Sequence, residues 1–224
     1  MFVFNGISSD DMSVIAEEEH VFITKASQRY EQIDIEGKNG AIFEENGYSV
    51  VNKTIKIQIM DSSKIDKIMQ WLNGVGTLIY KNRKTIARFY NEIEPVRDSI
   101  ISVADVMFIR NPFWNKACDK FVKVNDDCIY NYGTIYSEPI LKLEKKEEAF
   151  VDFSVNGIRY KYTFNDEEYV LIDSEEQTVE YEGLNRNRQI EMGYQYPLLN
   201  VGKNIIKINS GDADISFIKK DRWL

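Results

Sequence analysis

The chain has 224 residues, 43% of them hydrophobic, which suits one large or two small folded domains and excludes bulk disorder. Acids outnumber bases 36 to 28, for a net charge of −8, and the longest basic runs are the pairs Lys145-Lys146 and Lys219-Lys220. A nucleic-acid binder needs clustered cations to neutralise phosphates, so sequence-specific nucleic-acid binding is excluded as a main task.

No apolar run approaches the ~20 residues of a membrane helix, and no membrane insertion is expected. The opening Met1-Phe2-Val3-Phe4-Asn5-Gly6 lacks the basic start and apolar stretch of a signal peptide. Synthesis in a cytoplasm is therefore expected, with export only as part of something larger.

The chemistry-bearing motifs are sparse. The single histidine, His20, follows Glu17-Glu18-Glu19, and any Ser-His or Cys-His nucleophile would have to be built on it. There is no Gly-x-Ser-x-Gly turn and no phosphate-cradling glycine loop. Cys118 and Cys128 read as two free, partly buried thiols with no zinc-ligand spacing. The acids at 10–11, 17–19, 166–168, 173–176 and 212–214 read as solubilising loop or strand-edge groups. A carboxylate-pair glycosidase is the remote alternative, and Asp212-Ala-Asp214 lacks a calcium-loop spacing. No catalytic residue, cofactor or metal site is expected, and the protein is not expected to be an enzyme.

In chain order, the first notable stretch is Ile33–Tyr48, with three glycines, two of them in Asn-Gly pairs. Asn-Gly favours positive φ, so both pairs predict tight turns. Ile33 and Ile35 alternate with acids as a half-buried strand would. Residues 50–60 predict a strand with Val51, Ile55, Ile57 and Ile59 on its apolar face. Asp61-Ser62-Ser63 are N-cap candidates, with Asp66 completing a capping-box-like start. Ile65, Ile68, Met69 and Leu72 then form one helical stripe. The helix spans about 62–73 and is stopped by Gly74. Thr77–Tyr80 and Thr85–Glu92 predict a hairpin around Lys81–Lys84. Ser99–Arg110 is a further strand, interrupted by Asn111-Pro112-Phe113-Trp114, where the proline forces an edge or a turn. Phe121–Val124 and Cys128–Tyr132 suggest a hairpin around Asn125–Asp127.

From Thr134 onward only strands are predicted. Ala149–Val155 and Ile158–Phe164 flank a two-residue Asn156-Gly157 loop. That loop pairs Val155 with Ile158, Phe153 with Tyr160 and Val151 with Tyr162 on one face. Asp152 meets Lys161 and Ser154 meets Arg159 on the other. Strands recur at Tyr169–Asp173, Gln177–Glu182, Ile205–Asn209 and Ile215–Ile218, the rhythm of a sandwich or jelly roll. The chain is divided near Asn131–Gly133, into 1–132 and 133–224. Residues 1–132 carry 16 bases and 19 acids, and residues 133–224 carry 12 and 17. Neither half hides a basic module.

These pieces, in their order, resemble a known family. Phe4-Asn5-Gly6-Ile7-Ser8-Ser9, Ile35-x-Gly37-Lys38-Asn39-Gly40, the helix ending Trp71-Leu72-Asn73-Gly74, and Asn111-Pro112-Phe113-Trp114 are similar to the N-terminal domain of siphophage distal tail proteins (Dit). Gly133 with Ser137-x-Pro139, the Asn-Gly hairpin, Leu171-Ile172-Asp173, Tyr196-Pro197-Leu198-Leu199-x-x-Gly202-x-Asn204 and Arg222-Trp223 are similar to its C-terminal domain. The resemblance implies a mainly β protein with one helix. Its N-terminal part would be a β-sandwich or barrel-like ring domain, followed by a C-terminal galectin-like β-sandwich of jelly-roll type.

It also implies a structural hub at the tail tip of a siphophage, prophage or tail-like particle, made in the bacterial host cytoplasm and located in the virion. Such a hub is a homo-oligomer, usually a hexameric ring. Its partners are the major tail protein, the tape-measure protein and the tail-tip or tail-associated protein. In that setting Gly37, Lys38, Asn39 and Gly40 shape an arm that reaches a neighbouring subunit. DNA leaving through the bore would slide past acids, so part of the net −8 is expected to face the lumen. The alternative is a carbohydrate-binding protein that uses the C-terminal sandwich for host adsorption, with Tyr160, Tyr162 and Tyr181 as conceivable stacking platforms. The first two are core residues by strand alternation.

Overall fold

The computed structural model describes residues 1–224 except Glu18, Ser99, Asn125 and Asp126. Met1–Ala117 with Leu224 form one compact unit, and Cys118–Trp223 form a second. The division expected at Asn131–Gly133 lies inside the second unit. Residues 128–131 are held there because they form a strand laddered to Gly202–Ile205.

The first unit is a strand-rich layer with a single α-helix among the described residues. Its strands are β1 (Phe2–Phe4), β2 (Ile7–Ser8), β3 (Val14–Ala16), β4 (Gln28–Asp34), β5 (Ala41–Tyr48) and β6 (Val51–Ile59). After α1 (Ile65–Trp71) come β7 (Gly74–Tyr80), β8 (Arg83–Phe89), β9 (Val96–Asp98), β10 (Ile101–Arg110) and β11 (Trp114–Lys116). The main sheet runs β2-β1-β7-β8-β10-β6-β3, with β9 on β10 and β11 on β8. Strand β6 buries Val51, Ile55, Ile57 and Ile59, the face its alternation predicts.

The inner face of the sheet is aromatic. Phe2 stacks on Trp71 at 5.4 Å, Phe22 lies 5.4 Å from Phe108, and Phe4 meets Phe89 edge-on at 4.8 Å. Offset and edge-on geometries suit the ring quadrupoles. Asp61 Oδ1 accepts from the Ser63 amide at 3.0 Å, but it caps a 3-10 turn over Ser62–Lys64, and α1 itself starts later than expected, at Ile65, with Lys64 at its N-cap and no side-chain cap. Its inner side holds Ile68 and Leu72 of the predicted 65/68/69/72 stripe together with Trp71, while Ile65 is half-buried and Met69 is exposed. Trp71 takes the inner place because its indole N–H donates to Phe4 O at 2.9 Å, anchoring the helix to β1.

Two turn assignments change. The β7–β8 connection is the two-residue turn Lys81-Asn82, both at positive φ (46° and 61°), and is tighter than the expected 81–84 loop. The first Asn-Gly pair, Asn39-Gly40, does lie in the loop between β4 and β5. The second, Asn46-Gly47, lies within β5, where the β4–β5 register shifts near Gln28 and Tyr30. Gly47 there has φ +80°, so this pair makes a bulge rather than a turn. Asn5 explains the start of the chain: its Oδ1 accepts from Thr77 N at 3.0 Å. A Cβ on Gly76 would sit 1.9 Å from that oxygen, so only glycine fits beside it.

The Asn-Pro-Phe-Trp run closes the unit by a route that a proline edge alone does not suggest. Arg110, 1% exposed, donates from Nε to Phe22 O (3.0 Å) and from Nη1 to Asn111 O (2.8 Å) and Pro112 O (3.1 Å). Its Nη2 donates to Thr24 O, and its guanidinium lies 5.1 Å from the Trp114 ring centroid. Burial pulls its pKa down to about 10, still charged at neutral pH. One cation thus satisfies carbonyls from two separate loops, sharing Phe22 O with the Trp114 indole N–H at 3.1 Å.

The second unit is a two-sheet sandwich. Its strands are β12 (Val122–Lys123), β13 (Cys128–Asn131), β14 (Ile140–Lys145), β15 (Phe150–Val155), β16 (Ile158–Thr163) and β17 (Tyr169–Asp173). They continue with β18 (Thr178–Tyr181), β19 (Leu184–Asn185), β20 (Ile190–Met192), β21 (Gly202–Gly211), β22 (Ala213–Ile218) and β23 (Arg222–Trp223). One sheet runs β12-β22-β14-β17-β18-β19 and the other β13-β21-β15-β16-β20. Leu141, Leu143, Ile172, Ile215 and Phe217 of the first face Phe153, Tyr160, Tyr162 and Ile206 of the second in one core.

The Asn156-Gly157 hairpin has the predicted register, from Val155↔Ile158 to Val151↔Tyr162. On its other face Asp152 ion-pairs with the diagonal Arg159, not with its directly opposite Lys161. The guanidinium fork gives two contacts where a lysine gives one. The hairpin expected at 121–132 does not form: β12 pairs with β22 and β13 with β21, in different sheets. Its expected turn, Asn125–Asp127, lies partly outside the described residues, as do Glu18 and Ser99.

Candidate assembly surfaces

Strands β4 and β5 form a two-stranded ribbon that pairs with no other described strand. Every residue of β4 is exposed, and all of β5 except its two ends. The half-buried strand expected from Ile33 and Ile35 is therefore bare in this chain. Tyr30 and Phe43 are each 61% exposed and meet edge-on at 5.5 Å; Ile33 and Ile42 pair on the ribbon's opposite face and Ile35 follows β4, all three exposed as well. A free two-stranded ribbon is marginal in water, and here it also carries five large apolar side chains in solvent. Gly37, Lys38, Asn39 and Gly40 come together at its tip, all exposed. Lys38 N donates to Ile35 O at 3.1 Å, and Gly37 and Gly40 sit at φ +77° and +85°.

The outer face of the same unit's main sheet carries further exposed apolar side chains, set around Arg88. Alternation turns Val75 of β7, Ile86 of β8 and Met107 of β10 away from the aromatic core, and all three are exposed. Sequence patterning missed these side chains, because alternation was read for what it buries.

The titratable groups are largely committed to structural pairs. Asp214 accepts from Lys146 at 2.8 Å and from Lys123 at 3.4 Å, and Asp212 lies 3.4 Å from Lys146. A lysine ammonium thus occupies the position where a cation between Asp212 and Asp214 would go. It holds the Asp214 carboxyl below its usual range. Asp173 accepts from the Glu175 and Glu176 amides and from Lys220. Glu175 and Glu138 both engage Arg222. Glu167 is fully buried against Arg186 at 2.5 Å. The Asp152 carboxyl is held below its usual range by hydrogen bonds from Arg159 and Asn209. His20 is exposed, Cys118 is an exposed free thiol, and Cys128 is a half-buried one.

Of the three tyrosines weighed as stacking platforms, Tyr160 and Tyr162 are fully buried in the sandwich core. Burial, with the Tyr194 phenol beside it, pushes the Tyr160 hydroxyl up to about 12. Tyr181, half-buried, lies 5.2 Å from Tyr169 in an edge-on pair.

Residues 132–223 match the family described as "Siphovirus-type tail component, C-terminal domain". Among solved structures, the chain is similar to the SPP1 Dit (gp 19.1) protein, a hub of the adsorption apparatus in phages infecting Gram-positive bacteria. The TM-score is 0.73 at 10% identity, covering 100% of this chain and 98% of that one. A weaker likeness is to the phage P2 baseplate in its activated conformation with Ca: TM-score 0.40, 10% identity, 94% of this chain and 91% of that one. No curated protein matches in sequence. At these identities the structural likeness concerns the fold alone.

Proposed function

We propose that this chain, whose residues 132–223 match the siphovirus-type tail component family, is a structural, non-enzymatic hub of a phage tail tip. In this reading copies of the first unit close into a ring, usually of six. The ring joins the last tube ring of the major tail protein to the tail-associated protein, where the tape-measure protein ends. The protein is made in the host cytoplasm and resides in the virion.

The observation that carries this reading is the bare β4–β5 ribbon. A heterologous contact, in which one patch meets a different patch on the next copy, closes a ring when its rotation permits. The ribbon supplies one patch, and Val75, Ile86 and Met107 supply an apolar counterpart on the same unit. Gly37–Gly40 gives the ribbon a loop that turns without strain at its far end. The acidic balance of both halves suits a bore through which DNA slides, since like charges keep phosphates from adhering. The experiment is light scattering on the full chain and on Phe43→Ser. The wild type assembles into a discrete multimer, and the variant does not, while its melting temperature is unchanged. Equal loss of assembly and of monomer stability would count against the arm.

A further inference from the structure

The second unit holds a cleft of about 260 Å³, built from three separate segments, whose lining includes Glu138, Ser174, Gln177, Tyr194, Gln195 and Tyr196. No lysine or arginine lines it. Glu138 is its one charged residue, and that carboxylate accepts from Arg222 Nη1 at 2.5 Å, so the cleft as a whole is close to neutral. Tyr194 is 86% exposed. An aromatic ring held that far into water, next to polar groups, is a flat apolar surface awaiting a partner with a matching face.

Hydroxyls that are not spent on protein partners lie in and around it. Ser174, 3% exposed, has an Oγ with no hydrogen-bond partner among the described residues. The same holds for Ser137 Oγ, next to Glu138 in sequence, and for Tyr160 OH, whose residue pairs across the sheet with Met192 of the lining. Buried hydroxyls are nearly always paired, so the orphaned Ser174 Oγ, the one of the three whose residue lines the cleft, marks a group left to bond something else. Gln177 and Gln195 add amides, each able both to donate and to accept.

The occupant that answers this chemistry is neutral, rich in hydroxyls that donate and accept, and flat and apolar on one face. That describes a single sugar ring. The volume agrees, being below the ~300–1,000 Å³ of clefts that enclose drug-sized ligands. We infer that this cleft binds a neutral monosaccharide unit, with its C–H face on Tyr194 and its hydroxyls on Ser174, Gln177 and Gln195. The inference stands apart from the ring, because every group belongs to the second unit of one chain. It also differs from the platforms suggested by sequence, two of which are core.

The test is a titration of the full-length protein with glucose, galactose, N-acetylglucosamine and rhamnose, followed by NMR shifts. At least one sugar is expected to saturate with a Kd of about 1 mM. Tyr194→Ala should raise that Kd at least about tenfold. Ser174→Ala should raise it severalfold with no fall in melting temperature, whereas a purely structural hydroxyl would leave the Kd unmoved. Tyr132→Ala, which removes another exposed tyrosine, should change nothing. The inference is overturned if none of the four sugars saturates, if binding survives both cleft variants, or if Tyr132→Ala abolishes it. A ring that fails to assemble leaves this titration unaffected, so the two proposals fail separately.

Discussion

The molecule contains two Asn-Gly hairpins with opposite fates. The one around Asn156-Gly157 lays Val151, Phe153, Val155, Tyr160 and Tyr162 into the sandwich core. The one ending in Asn39-Gly40 carries Tyr30, Ile33, Ile42 and Phe43 into solvent. The local chemistry is alike: β-type residues, a turn that tolerates positive φ, an antiparallel ladder. The difference is the partner. The first finds its apolar complement within its own unit, and the second finds none there. A hairpin's turn is thus a local property, while its burial belongs to whatever stands opposite it. An apolar hairpin left bare in one chain points to a complement on another.

The contrast is broken most sharply by truncating an aromatic in each hairpin. Phe153→Ala should cost the second unit about 3–5 kcal/mol, because it removes a fully buried ring from a core with no slack. Phe43→Ala should cost the isolated chain no more than about 0.5 kcal/mol, as an exposed substitution does. Urea unfolding of the two variants measures both. A large loss from Phe43→Ala would mean that the arm is part of its own chain's core.

A second test asks what holds the arm's own unit together. Arg110→Met keeps much of the side chain's volume but strands the carbonyls of Thr24, Asn111 and Pro112, while Phe22 O keeps the Trp114 indole N–H at 3.1 Å. It should destabilise the first unit by several times the ~1–3 kcal/mol of one unsatisfied buried group. Thermal melts should show the loss in the first unit, with the second unit unchanged.

Asp152 gives a smaller effect with a defined pH dependence. Its carboxyl is held below the ordinary value by Arg159 and Asn209. A depressed carboxylate adds stability that is fully present above the unfolded-state pKa, about 3.9, and is lost as pH falls through the lower folded value. Asp152→Asn should therefore melt earlier than wild type at pH 7. The gap should close under acid, below the ordinary carboxylate value. A gap that stayed constant down to the acid limit would show that packing of the site, not charge, is responsible.

The subtlest test is at the turns. Gly40→Val forces a β-branched residue into φ +85° at the tip of the arm. It should weaken assembly more than monomer folding, since nothing in its own chain rests on that tip. Sizing and melting run side by side decide it.

Much of this was legible in the sequence where local rules suffice. The 151–162 register followed from an Asn-Gly loop flanked by consistent alternation, and β6 from its isoleucines. What escaped depends on distant neighbours. Strand β14 sits between β17 and β22, yet its alternating lysines and glutamate made Ile140–Lys145 unremarkable as a strand. Phe121–Val124 and Cys128–Asn131 look like a hairpin but serve different sheets, a choice made by β22 and β21 about 80 residues later. Trp71 joins Ile68 and Leu72 on the helix's inner side, where Met69 was expected, because a backbone carbonyl of β1 accepts its indole N–H. The sugar-sized cleft gathers serine, glutamine and tyrosine from three segments, and no spacing in one dimension marks such a set. The turn from Gly37 to Gly40 was legible. That its aromatic ribbon stands bare was not, because alternation signals a buried face without saying which chain will bury it.

The most direct measurement is sedimentation velocity of the full-length protein beside Phe43→Ser across a range of concentrations. The account predicts a discrete closed multimer for the wild type and a folded monomer for the variant. A wild type that sediments as a monomer throughout, with Phe43→Ser indistinguishable from it, would contradict it.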